Sequence, residues 1–397
     1  MRVYDAIVIG AGPAGSVTAH RLAAAGASVL LLDKARFPRD KPCGGGLTIR
    51  AVKELPFTVD PVVEHVVDCL RLRLRYGPSY ERRSERPLIL MTQRRMLDAY
   101  LAEQASAAGA EFRDGAKVTA AARSREGYEV TVGAETVHAR TVVGADGANG
   151  VSARQLALGG RPVYGVALEG NLANTELGGE TYERTAVIEL ATVPGGYGWI
   201  FPKGDHANFG VGGWERTGPS LRDHLRVLCR RHQIDERKLE SVRGHRLPLR
   251  PPEGPLARGR AVLVGDAAGL VDPISGDGMY EAFVSARLAS DAVSDVLAGR
   301  AASVDAYDGR LRGALARLTA ASWNGKLAFD RFPRIAFELS RPRFVWPVVE
   351  NILRGELTEP TAVRGPARLP IRLVLGLSDA LGAPGRRYET APGAQVR

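Results

Sequence analysis

The chain is poor in cysteine: its 397 residues hold three, Cys43, Cys69 and Cys229. Their spacing forms neither a metal motif nor a disulfide framework, so no metal site is expected and a reducing cytoplasm is. No run of about eighteen apolar residues is present, so no segment reads as a membrane span. The N-terminus enters a strand pattern directly, without a leader-like stretch. No internal repeat or low-complexity tract stands out. No basic run is interleaved with aromatics, which discounts a nucleic-acid partner.

What is present is a globular composition, 45% hydrophobic and 25% charged, with length for one large or two medium domains. Lys and Arg number 54 against 44 Asp and Glu, a formal charge of +10. That excess suits a phosphate-bearing substrate or an anionic membrane surface. A compositional bias towards arginine and alanine explains it equally well.

The first fifty residues carry the strongest signal. An apolar strand, 5–9, feeds Gly10-Ala11-Gly12-Pro13-Ala14-Gly15, which opens a helix ending near Gly26. A second strand, 28–32, closes on Asp33. Gly10 suits the tight turn, Gly12 lets a pyrophosphate approach the backbone, and Gly15 permits close helix–strand packing. The helix N-terminus offers free N–H groups to phosphates, and Asp33 stands where an acid binds ribose hydroxyls. This reads as a dinucleotide cradle.

Further along, a helix is expected from Thr92, as N-cap, through Met96, Leu97 and Leu101 to Gly109. Hairpin-like alternation follows over 117–137, and a buried strand, 141–143, ends at Gly144-Ala145-Asp146-Gly147. Residues 163–215 alternate and are rich in glycine, as antiparallel strands are. Another buried strand, 261–264, leads into Gly265-Asp266-Ala267-Ala268-Gly269. A helix then shows one apolar face through Ala282, Ala286, Ala289, Val293 and Val296. The Asp266 carboxylate can accept hydrogen bonds from a polyol. Gly276 and Gly278 would free backbone donors at that helix N-terminus, able to stabilise negative charge on a reduced flavin ring. Asp272 and Asp277 read as turn and cap residues.

The fold class expected is α/β, a Rossmann-type cofactor-binding domain (FAD-binding on the resemblance given next) interrupted by an antiparallel β-sheet substrate domain, with a helical C-terminal region. The cofactor domain would be discontinuous, over 1–70, 91–160 and 255–300. The sheet would take 71–90 and 161–254, and the helical region 301–397.

The fingerprint, the GADG turn and the GDAAG segment together resemble the FAD-dependent oxidoreductases of the p-hydroxybenzoate hydroxylase fold. Two further motifs narrow the resemblance to geranylgeranyl reductases: Pro42-Cys43-Gly44-Gly45-Gly46, similar to that family's PCGG loop, and Tyr197-Gly198-Trp199-Ile200-Phe201-Pro202, similar to its YxWxFP motif. The resemblance covers about residues 1–300. It implies FAD held by Gly10, Gly12, Ala14, Gly15, Asp33, Lys34, Cys43, Gly44, Arg94, Val118, Asp146, Gly265, Asp266, Gly276, Gly278 and Met279, with Arg95 a neighbour of Arg94. It implies a polyprenyl lipid, diphosphate or menaquinone substrate against Gly45, Tyr197, Trp199 and Phe201. NADPH or a reduced electron-transfer protein would be the electron donor, since a second complete GxGxxG unit is missing.

Cys43, Tyr197 and Trp199 are the catalytic candidates. The Cys43 thiol reads as proton donor, as positioning residue or as structure. Tyr197 could donate instead, but a free phenol, at about 10, is a weaker acid than a free thiol, at about 8.5. Tyr197 and Trp199 share one face of a strand, as cavity wall or as ordinary core. The flanking glycines favour a cavity for a long chain. In the C-terminal region Phe344, Val345, Val348, Val349 and Ile352, near Arg341 and Arg343, and the stretch 369–381, broken by Arg372 and Asp379, read as core helices or as a membrane-touching surface. A flavin monooxygenase on the same fold is the alternative function. A halogenase lacks support without a WxWxIP signature, and a non-catalytic prenyl-binding protein would not need the intact cofactor motifs.

Overall fold

The computed structural model describes residues 2–160, 163–177, 182–249 and 254–379. At its centre, Val3–Ile9 pairs in parallel with Val29–Leu32 on one side and Glu135–Gly144 on the other. Glu111–Arg113 extends the sheet beyond Val29–Leu32, and Ala261–Leu263 extends it beyond Glu135–Gly144, both in parallel. Strands buried on both faces read as near-continuous apolar runs, as Val29–Leu32 and Ala261–Leu263 do. The expected hairpin is present as Val118–Arg123 and Tyr128–Val132, hooked onto Glu135–Gly144. Helices Pro13–Ala24, Arg94–Ala107 and Met279–Leu297 pack around this sheet. Ala282, Ala286, Ala289, Val293 and Val296 are all buried, as their spacing predicts.

Two details differ from the sequence reading. Arg94–Ala107 is capped by the backbone of Gln93 rather than by Thr92, whose hydroxyl turns to the Gln93 carbonyl. Met96 lies half exposed, off the apolar face that Leu97 and Leu101 bury.

The second sheet has seven strands in the order Glu240–Pro248, Tyr164–Ala173, His206–Trp214, Tyr197–Pro202, Thr185–Leu190, Cys69–Leu74 and Ser79–Arg83. All neighbours are antiparallel except Thr185–Leu190 with Cys69–Leu74. The chain enters this sheet at Cys69. Ile89–Met91 instead pairs with Gly46–Thr48 and His65–Val67 in a small third sheet. One face of the large sheet is closed by helix Leu221–Arg231, whose Leu221, Leu225 and Leu228 bury against Val187, Ile200, Phe209 and Val211. The other face turns towards the loops of the first sheet.

C-terminal helices Ala306–Arg331, Pro333–Ser340, Trp346–Leu353 and Arg368–Asp379 follow, two of them with a proline at the first or second position. Among the described residues no helix is long and apolar enough to cross a membrane. Val345 and Val348 are buried, Val349 and Ile352 partly so, while Phe344 is exposed. The end of the 369–381 stretch lies outside the described residues.

Candidate active site

The glycine loop is built for close approach at two positions and for openness at a third. Gly10 has φ +105°, and a methyl group there would collide with the Ala145 carbonyl. A methyl group at Gly15 would run into the Gly10 carbonyl oxygen. At Gly12 a methyl group would meet only the guanidinium ends of Arg39, at 3.7 Å, and Arg94, at 4.0 Å. The open position therefore lies beside two cations and at the N-terminus of a helix, a place suited to a pyrophosphate. Asp33 braces this loop: its carboxylate accepts the Ala11 and Ala35 N–H groups, each at 2.9 Å. Lys34 is exposed. Val118 is buried in the apolar core, in the segment that follows the Ala116 amide bound to the Asp33 carbonyl.

Arg94 is buried and grips Asp98 through two bonds, of 2.7 and 2.8 Å, while Arg39 meets the same carboxylate at 2.9 Å. Burial alone would lower the Arg94 pKa, but Asp98 reverses this and raises it. Arg95 points to solvent. Asp266 lies 3.6 Å from the Lys41 ammonium and 3.9 Å from His245 Nε2. Burial would push its carboxyl up, yet Lys41, His245 and Arg94 outweigh this and hold it down at about 2. A cleft of about 250 Å³ beside Asp266 is lined in part by Asp146, Gly147, Arg154 and Tyr164. Gly265, with φ +57°, lets the chain pass within close contact of Ala14.

Opposite these loops stands the large sheet. Tyr197, Trp199, Phe201 and Lys203 alternate along Tyr197–Pro202 and just past it, and so share a face. The three rings form a ladder with centroids 6.0 and 6.2 Å apart. Trp199 is held by a 2.7 Å bond from its indole N–H to Asn208, which in turn donates to Asn171. A side chain on Gly44 would strike the Phe201 ring at 2.8 Å and approach the Trp199 indole nitrogen at 3.5 Å. A side chain on Gly45, at φ +76°, would strike the Lys203 amine and the Thr92 carbonyl. The cysteine-glycine loop thus lies directly on the ring ladder. Cys43 Sγ accepts the Gly45 N–H at 3.4 Å, and the Cys43 N–H donates to Glu169 at 2.5 Å. Burial raises the Cys43 thiol pKa. The Tyr197 hydroxyl donates to the Ser275 carbonyl, tying the far end of the ladder to the turn before Met279–Leu297.

An FAD binding domain model matches residues 3–177. The chain is 33% identical to a geranylgeranyl diphosphate reductase of Rhodobacter capsulatus, covering 73% of this chain and 74% of that one. It is 35% identical to a menaquinone reductase of Mycobacterium tuberculosis, covering 72% and 76%. The chain belongs to the geranylgeranyl reductase family. A geranylgeranyl bacteriochlorophyll reductase-like structure from Thermoplasma acidophilum superposes at TM-score 0.78 with 22% identity, over 96% of this chain and all of that one. A flavin-dependent brominase shares the fold at the same TM-score with 20% identity, over 96% of this chain and all of that one.

As a member of the geranylgeranyl reductase family the protein is an FAD-dependent oxidoreductase, and the Gly12 opening fits the pyrophosphate of FAD. Several residues named from the sequence are engaged otherwise. The Asp146 carboxylate accepts the N–H groups of Val151 and Ser152 and the Ser152 hydroxyl, and so caps a short helix. The Gly276 amide donates to the Asp272 carbonyl and the Met279 amide to the Asp277 carboxylate, so these donors are occupied within the turn. The Met279 side chain is buried in core, and Gly278 leaves room for the Asp266 carboxylate, 3.2 Å from where a methyl group would stand. Asp272 and Asp277 act as the turn and cap residues their spacing implies.

The glycines flanking the ring ladder do not open a cavity for a long chain. A methyl group at Gly195 would collide with the Trp214 ring, one at Gly196 with the Gly212 carbonyl, and one at Gly210 with the Trp199 ring. They are packing glycines. Trp214 is itself stacked on Trp323 and donates to Asp330, and Lys326 reaches over its ring to the Gly195 carbonyl. The C-terminal helix Ala306–Arg331 therefore buttresses the sheet, a role no motif in that region announces.

Proposed function

We propose that the protein saturates isolated C=C bonds of a polyprenyl, geranylgeranyl-type chain carried by a diphosphate, a prenyl lipid or a menaquinone. The observation that carries this reading is the contact of the ring ladder Tyr197–Trp199–Phe201 with the Cys43–Gly45 loop, beside an FAD-type glycine loop. An isolated alkene is not polarised by a carbonyl and resists hydride addition alone. It reacts when a proton arrives at one carbon and a hydride at the other. Bound FAD in its reduced form supplies the hydride.

The chain's own residues would do the rest. The rings exclude water and offer electron-rich faces to the positive charge that builds at the more substituted carbon. Cys43 and Gly45 would set the depth at which the alkene rests. Burial raises the Tyr197 pKa and its hydroxyl is committed to Ser275, so Tyr197 would hold the turn rather than release a proton. The net charge of +10 suits a diphosphate or phospholipid head group. Ile335, Phe344, Leu369 and Leu373 are exposed on the C-terminal helices beside Arg334, Arg343, Arg368 and Arg372, which supports contact with the inner, anionic face of a membrane. NADPH visiting transiently, or a reduced electron-transfer protein, would return electrons to the flavin.

The test is anaerobic reoxidation. The chemically reduced protein is mixed with geranylgeranyl diphosphate, whose alkenes are its only oxidising groups. Return of the oxidised flavin absorbance supports the reductase. A flavin that stays reduced until oxygen enters supports the monooxygenase alternative, and protein purified without flavin supports a non-catalytic prenyl carrier.

A further inference from the structure

Trp199, Gly210, Glu169 and Arg243 occupy one rung across four adjacent strands of the large sheet. Residues paired in this way project from the same face. That face carries the ring ladder, and Gly210 between them leaves room for the Trp199 indole to lie over it. Glu169 is thus a carboxyl standing beside Trp199 on the wall that meets the cysteine-glycine loop. Its Oε1 accepts the Cys43 N–H at 2.5 Å, and the residue is only 9% exposed. It is the single charged residue in Tyr164–Ala173, a strand otherwise of small, apolar and amide side chains.

We propose that Glu169 is the acid that protonates the alkene, from the sheet side of the site. The proposal rests on the reductase reading and names its missing proton source. Glu169 gives up its O–H proton to one alkene carbon, and a C–H bond forms from the π electrons. The second carbon would take the hydride that bound reduced FAD supplies, two electrons that leave the cofactor oxidised. The carboxylate left behind takes a proton from solvent.

Two observations favour Glu169 over the residues that the motifs point to. Burial raises the Cys43 thiol and the Tyr197 phenol, and each begins as a weak acid, at about 8.5 and about 10. A carboxylic acid begins at about 4.3, well below both, and is the strongest acid of the three at the outset. Burial raises Glu169 too, against the opposing pull of the Cys43 N–H, Lys203 and Arg94, with Asp40 reinforcing the rise. Arg243, its neighbour on the rung, faces Asp40 at 3.1 Å. Across the site Asp266 is held ionised. Environments that push two carboxyls apart in this way mark an acid and a permanently charged partner.

The test combines Glu169→Gln with a spectroscopic reading of the wild type. Gln keeps an acceptor for the Cys43 N–H but cannot act as an acid. Expected are unchanged FAD content, a KM within about threefold, and a single-turnover reoxidation rate by geranylgeranyl diphosphate lower by roughly a hundredfold or more. In the wild type, turnover falls as pH rises through the raised carboxyl range, because the donor form is lost. In Glu169→Gln that limb disappears, and in Glu169→Asp it remains at an intermediate rate. Infrared difference spectra, wild type minus Glu169→Gln, should contain a protonated carboxyl near neutral pH. A Gln variant as fast as wild type, or a Glu169 fully ionised at pH 6, overturns the proposal. Wild type that reduces no alkene contradicts the reductase reading instead, and the infrared signal still decides whether Glu169 is held as an acid.

Discussion

Asp266 and Glu169 are two buried carboxyls on different walls of the site, one on a loop and one on the large sheet, and they are treated in opposite ways. On the cofactor wall, Asp266 sits among Lys41, His245 and Arg94, and its charge is fixed. On the sheet wall, Glu169 is buried beside Trp199; the Cys43 N–H, Lys203 and Arg94 oppose the effect of burial without outweighing it, and its proton is retained more firmly. The cofactor wall is made of loops at strand ends, tightened by glycines and cross-braced by ion pairs. The sheet wall is made of rigid strand positions that share one face. On the proposed function the contrast separates two tasks: the loops would hold a charged cofactor, and the sheet would surround a neutral alkene at which positive charge builds during reaction.

The severest way to break the cofactor wall is to fill Gly15. A methyl group there meets the Gly10 carbonyl, so Gly15→Ala should purify without FAD and lose about 1–3 kcal/mol of stability. Flavin-to-protein absorbance and thermal unfolding check this. Full FAD content would contradict the close helix–strand contact. Asp266→Ala should leave the fold intact while weakening FAD binding by roughly ten- to a hundredfold, as loss of charged hydrogen bonds does. The sign of its pH dependence follows from its depressed value. Its contribution is present above the ordinary carboxylate range and is lost only as pH falls through about 2. A flavin-release titration between pH 5 and 8, roughly the range of greatest stability, should therefore show no step from Asp266.

The sheet wall should respond differently, with FAD retained and turnover reduced. Trp199→Ala removes the central ring of the ladder and should slow alkene reduction roughly three- to thirtyfold, the size of a lost cation–π contact of about 0.5–2 kcal/mol. Loss of FAD in this variant would blur the division between the walls. Cys43→Ala should have the smallest effect, a few-fold slower turnover with FAD in place, since its backbone N–H still reaches Glu169. Full activity removes the thiol from the chemistry and sharpens the assignment of the acid to the sheet.

The cofactor wall was largely legible in the sequence because its signals are local. Gly10, Gly12, Gly15 and Asp33 lie within one strand–helix–strand unit, and the face of Met279–Leu297 follows helical spacing. The ring ladder was legible too, because alternation on one strand fixes its side. Glu169 was not, since its link to Trp199 exists only through the register of three strands and its link to Cys43 only through folding. A lone acid in an otherwise uncharged strand was the available signal. The glycines flanking the ring ladder are ambiguous in sequence, because a packing glycine and a cavity glycine look alike there; Gly195 and Gly196 prove to be packing glycines. Asp146 is ambiguous for a similar reason, since a carboxylate after a strand can bind a cofactor or cap the next turn, and here it caps the turn while lining the cleft beside Asp266. The buttress of Lys326, Asp330 and Trp323 had no periodic or motif signature at all.

The central claim is that this site adds hydrogen to an isolated alkene, and product mass settles it most directly. The FAD-loaded protein, chemically reduced without oxygen, is given polyprenyl diphosphates, prenyl lipids and menaquinone, and the products are exposed to air before mass spectrometry. Air reverses reduction of a quinone ring but leaves a saturated chain untouched. The account predicts products heavier by pairs of hydrogens that survive this step. Unchanged substrates there, with an added oxygen atom in a parallel aerobic run with NADPH, would contradict it.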